Sequence, residues 1–112
     1  PAKISPDAWN SDLFFLARPG AHRANLDLLY DYRKNVPLYP TWQKFLRDHR
    51  PPTLIVWGKG DVFFTQAGAS AYLRDVPDAE LHFLDGGHFV LEDHAVEVGD
   101  LMRRFYQTRV AK

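Results

Sequence analysis

Cysteine is missing from all 112 residues, which removes a disulfide framework, a thiolate metal site and a cysteine nucleophile together. A charge excess of either sign is missing as well. Fourteen lysines and arginines balance fourteen aspartates and glutamates, so no net field draws the chain to nucleic acid, an anionic membrane or an acidic substrate. No apolar run approaches the roughly 18 residues of a membrane span, and the opening PAKISPDAW lacks the basic-then-apolar pattern of a secretory signal. These absences set the expectation of a soluble cytoplasmic protein with neither nucleic acid nor membrane as partner. An initiator methionine is absent too. Pro1 stands first, which fits either methionine removal or a chain that begins partway through a longer protein.

What is present amounts to one domain's worth of residues, enough to bury somewhat under about 70% of the unfolded surface. There is no internal repeat, yet two dissimilar halves meet near Arg50-Pro51-Pro52. In the first half, Ser5-Pro6-Asp7 is a helix start: a capping hydroxyl, a proline in the first turn and an acid at the positive dipole end. It predicts a helix over 6–17, closed by Arg18-Pro19-Gly20. In NLDLLYDYRKN, Leu26, Leu29, Tyr30 and Arg33 recur at helical spacing and predict a second helix over 25–35, ended by Pro37. A third runs from about Pro40 to the double proline.

The second half alternates between the two periods. TLIVWG (53–58) is a continuous, β-branched apolar run ended by glycine, which suits a buried parallel strand. A helix over 66–75, a strand ELHFLD (80–85) and a long amphipathic helix over 91–106 complete a βαβα order, so the fold class is α/β. Two parallel strands leave both outer edges without ladder partners and do not make an independent sheet. The chain is therefore expected either to associate with copies of itself, by segment exchange for example, or to be the end of a larger α/β protein.

In open α/β sheets, functional side chains gather in loops at the carboxyl ends of the strands. Asp61 stands in such a loop, in WGKGD, and His88 in the next, in DGGH, where Gly86-Gly87 are expected to turn the chain tightly off the strand. Parallel neighbours place these loops side by side. A carboxylate that accepts from one imidazole nitrogen fixes the tautomer and frees the other nitrogen for proton transfer. Taken singly, each residue also fits a purely conformational role, Asp61 capping a turn and His88 starting a helix. A metal site is the weaker alternative. His82, Asp85, His88, Glu92, Asp93 and His94 are all ligand types, but His82 faces away from Asp85 on a strand, and no H-x-x-x-H pair occurs.

PPTLIVWGKGD followed by AYLRDVPDAELHFLDGGHFVLED resembles the C-terminal end of the α/β-hydrolase family, in particular the branch of epoxide hydrolases and haloalkane dehalogenases. The resemblance covers 51–106 and implies a partial α/β-hydrolase fold: the last two parallel core strands with their helices. It places Asp61 at the acid of the triad and His88, 27 positions later, at the histidine. Less sharply, residues 1–50 resemble the C-terminal part of the helical cap, which implies domains at 1–50 and 51–112. Cap helices of the family offer aromatic side chains to substrate; Trp9, Tyr30, Tyr32, Tyr39 and Trp42 are available, although at helical spacing an aromatic is more often packing.

Two family motifs are absent, the nucleophile elbow and the oxyanion-hole glycine motif. Neither G-x-S-x-G nor its aspartate version occurs, and the only serines are Ser5, Ser11 and Ser70, the last inside an expected helix. The resemblance thus implies a cofactor-free hydrolase of a small apolar ester, epoxide or haloalkane, of which this chain holds two triad members and no nucleophile, and which is inactive alone. The alternative is a stand-alone oligomerising module without catalysis. Phe63, Phe64 and Phe89 flank the two loops; they fit a pocket wall, and more often such residues are core.

Overall fold

The ends of the first helices follow from local chemistry. In the computed structural model, which describes residues 5–111, α1 spans Pro6–Leu16 and is capped as expected. The Ser5 hydroxyl accepts from the Asp7 N–H at 3.3 Å, with Pro6 in the first turn. Helix α2, Ala21–Asp31, begins four residues before the expected start and tightens into a 3-10 turn at Tyr32–Lys34. Its entry is Gly20 at φ 82, a conformation glycine adopts without steric cost. The polar first turn AHRA carries no apolar signal, so spacing alone starts the helix too late. A second 3-10 turn, Val36–Leu38, leads into α3, Tyr39–His49.

Internal contacts divide the chain into two units, Pro1–Trp42 and Gln43–Lys112. Within the first, α1 and α2 contain no buried residue, and the side chains Phe14, Phe15, Leu28 and Leu29 are all exposed. Their apolar stripes have the periodicity of core-facing helices without being covered by this unit. No helix among the described residues is long and apolar enough to cross a membrane.

The second unit holds the βαβα order. Strand β1, Leu54–Gly58, pairs in parallel with β2, Glu80–Leu84, with Leu54 opposite Glu80 and Gly58 opposite Leu84. Between them lies α4, Gln66–Ala71, continued by a 3-10 turn Tyr72–Arg74. Side chains alternate across a sheet, so Leu54 and Val56 share a face with Leu84. There they pack with Val98 and Leu101 of α6, Ala95–Phe105. Ile55 falls on the opposite face. The buried core is completed by Ala69, Val76 and Phe105, and it is shallow, as the chain's size implies.

The expected continuous helix over 91–106 is in fact broken. A short α5, Val90–Asp93, is separated from α6 by His94, whose φ of −130° and ψ of 36° are not helical. The His94 ring lies against Gly86, where a Cβ would come 3.0 Å from its Nδ1. After α6 the backbone widens into a π-helical turn, Tyr106–Val110.

Candidate active site

The parallel pairing brings the chain out of β1 and β2 at the same edge of the sheet, and the ladder continues past the strands. The Lys59 N–H donates to the Leu84 carbonyl and the Gly60 N–H to the Gly86 carbonyl, both at 2.9 Å. The two loops therefore run backbone to backbone. At their closest approach a Cβ on Gly58 would lie 2.1 Å from the Gly87 oxygen and 2.7 Å from the Gly86 oxygen. This corrects the reading of the glycines. Neither Gly86 nor Gly87 takes a positive φ; the close approach of backbone demands glycine at 58, while at 86 a Cβ would fit tightly against the His94 ring and Val90.

This stitched pair of loops sets Asp61 and His88 together. The carboxylate oxygen Oδ2 of Asp61 lies 3.0 Å from His88 Nδ1. Its other oxygen, Oδ1, accepts from the N–H groups of Phe63 and Phe64 at 2.9 Å each. An ionised carboxylate only accepts, so Nδ1 carries the proton and Nε2 of neutral His88 presents a lone pair. The Asp61 side chain is 6% exposed and that of His88 32%. The carboxylate is thus enclosed while the imidazole stays reachable.

The cover over Asp61 by itself raises its pKa. The hydrogen bond from Phe64 N–H, the one from His88, the one from Phe63 N–H and the His88 charge outweigh this, and hold the carboxyl below the 3.8 of a free aspartate. The sign follows directly. A carboxyl that titrates lower in the folded chain than in the unfolded one adds stability above pH 3.8, which is lost as pH falls through the folded value. Acid titration of unfolding is expected to show this loss in the wild type and to show it reduced in Asp61→Asn. Equal acid sensitivity of the two would contradict it.

Other ligand-type residues are spread out. His82 Nε2 is engaged by Glu80 Oε1 at 2.6 Å on the strand, and His94 packs on Gly86. Among the described residues no three His, Asp or Glu side chains converge as a metal site would require. Ser70 lies inside α4. In the first unit, the hydroxyls of Tyr32 and Tyr39 meet at 2.9 Å, brought together by the 3-10 turns between them. Asp93, named from sequence only as a ligand type, has a contact that sequence reasoning missed: its Oδ2 accepts from the Gly87 N–H at 3.4 Å and so links the His88 loop to α5. No motif announces that contact.

Phe63, Phe64 and Phe89, expected more often in a core, are instead exposed and stand around the His88 ring.

The chain is similar to several hydrolases. It is 41% identical over 97 residues to an uncharacterized hydrolase of Saccharomyces cerevisiae, covering 87% of this chain and 33% of the relative. It is 29% identical over 107 residues to epoxide hydrolase 3 of Mus musculus, covering 93% of this chain and 28% of the relative. A 2-hydroxy-6-oxononadienedioate/2-hydroxy-6-oxononatrienedioate hydrolase of Escherichia coli is 30% identical over 100 residues, covering 85% of this chain and 35% of the relative. The chain spans about a third of the length of these relatives. No family model and no solved structure matches it.

Proposed function

We propose, on the premise that the chain's homologues are hydrolases of the α/β-hydrolase type, that Asp61 and His88 are the acid and base of a hydrolase whose nucleophile lies outside these 112 residues. The observation that carries this reading is the 3.0 Å contact from His88 Nδ1 to Asp61 Oδ2 between adjacent loops. In the reaction, Nε2 of His88 takes a proton either from a serine hydroxyl or from the water that cleaves an aspartyl ester. The Nδ1–H bond to Asp61 holds the ring and stabilises the imidazolium that forms.

The substrate class is a small apolar organic molecule with an ester, epoxide or carbon–halogen bond. Names such as epoxide hydrolase support a hydrolytic reaction class. Residues 1–50 take the part of the end of a helical cap and residues 51–112 that of the end of the catalytic core. The steps assigned to His88 and Asp61 need no cofactor.

Without a nucleophile these residues have no turnover of their own, because triad members act as a unit. In the full-length enzyme, Asp61→Asn is expected to lower kcat by about 10⁴-fold, since an amide facing Nδ1 favours the wrong tautomer. A loss under tenfold would remove Asp61 from the triad.

Self-association of the 112 residues is favoured by two further observations. Among the described residues β1 and β2 pair only with each other, and Leu54, Val56, Val98, Met102 and Phe105 line an apolar cleft of about 490 Å³ beside them. Light scattering of this polypeptide is expected to give a dimer or larger species; a monodisperse monomer would contradict it.

A further inference from the structure

Three phenylalanine rings stand around the His88 imidazole. Phe89 meets it edge-on with ring centroids 5.0 Å apart, Phe63 edge-on at 5.2 Å, and Phe64 at a tilt at 5.4 Å. These rings are 57%, 73% and 56% exposed. Side chains this open contribute little to the folding of this unit.

Two of the three are held by the carboxylate that holds the base. Asp61 Oδ1 accepts from the N–H groups of Phe63 and Phe64, while Oδ2 faces His88. The Phe64 carbonyl is fixed in turn by the Trp57 indole N–H at 2.8 Å. One carboxylate thereby sets both the direction of the base and the wall beside it.

Resting on the assignment of His88 as the base, we infer that Phe63, Phe64 and Phe89 are specificity-determining residues that select an uncharged substrate carrying an aromatic group beside the bond to be broken. A group docked against the imidazole has these rings as neighbours. An anionic group there would give up hydration to apolar surface and would face the charge of Asp61. A flat aromatic group gains edge and offset contacts with all three rings.

The test is a titration of the full chain with benzyl alcohol and with benzoate, two aromatic probes of similar size, one uncharged and one anionic, followed on the ring resonances of His88 and the three phenylalanines. Benzyl alcohol is expected to give saturable shifts and to bind at least tenfold more tightly than benzoate. Phe63→Ala, Phe64→Ala and Phe89→Ala should each weaken benzyl alcohol by about tenfold. The exposure of the rings keeps the fold intact in these variants. No saturable shift, equal affinity for the two probes, or indifference to all three substitutions overturns the inference. A separate turnover assay of His88→Gln in the full-length enzyme keeps the two claims apart: turnover retained in that variant discards the base, while absence of benzyl alcohol binding in the wild type discards the aromatic collar.

Discussion

His88→Gln is expected to abolish turnover in the full-length hydrolase, with kcat falling by about 10⁴- to 10⁶-fold. The glutamine amide can still donate to Asp61 Oδ2, where His88 Nδ1 now sits at 3.0 Å. The loop is therefore kept, and only the ability to accept a proton is lost. The variant also distinguishes the two possible nucleophiles. If the nucleophile is an aspartate, attack on substrate proceeds without the base but hydrolysis of the resulting ester does not, and mass spectrometry should find the protein heavier by the bound fragment. If it is a serine, the attack itself needs the base and no adduct accumulates. Full activity of His88→Gln would remove the histidine from the reaction.

Gly58→Ala is expected to have the largest effect on stability of any single methyl group added to the site. Its Cβ would sit 2.1 Å from the Gly87 oxygen and 2.9 Å from the Gly87 carbonyl carbon, and these are backbone atoms that cannot swing aside. The loops must part, breaking the Lys59-to-Leu84 and Gly60-to-Gly86 hydrogen bonds. Overpacking of this kind costs about 1–3 kcal/mol. Because the same loops carry Asp61 and His88, a displacement of about 1 Å would also cost turnover on the order of 10²-fold. The matched control is Gly87→Ala, where nothing lies within 4 Å of the added carbon and stability should stay within about 0.5 kcal/mol. Denaturant unfolding that places the two variants together would contradict this account of the loop contact.

Much of the second unit was legible because its signals are local and redundant. TLIVWG reads as a strand from its apolar, β-branched run and ELHFLD as the next strand, ended before Gly86-Gly87, and they form Leu54–Gly58 and Glu80–Leu84. Their parallel order placed the two following loops at one edge, so the proximity of Asp61 and His88 could be expected before any coordinates. The misses share a physical cause: they depend on what meets at a distance. Gly58 looked like the end of a strand, whereas its role is to admit the backbone of Gly86 and Gly87. His94 lies within a helical pattern, and the break between α5 and α6 at this residue, beside Gly86, has no local signal. From sequence the phenylalanines fit a pocket wall and, more often, a core, because apolarity does not say which way a loop side chain points. In the first unit the early start of α2 escaped because the first turn is polar and its entry depends on Gly20 at positive φ.

The account turns on which nitrogen of His88 carries the proton. Long-range ¹H–¹⁵N correlation spectra of the neutral imidazole in the full chain test it directly. The geometry predicts protonated Nδ1 and bare Nε2, with Asp61→Asn shifting the ring toward the opposite tautomer. A wild-type spectrum showing protonated Nε2, or one unchanged by Asp61→Asn, would contradict the assignment of His88 as a base oriented by Asp61.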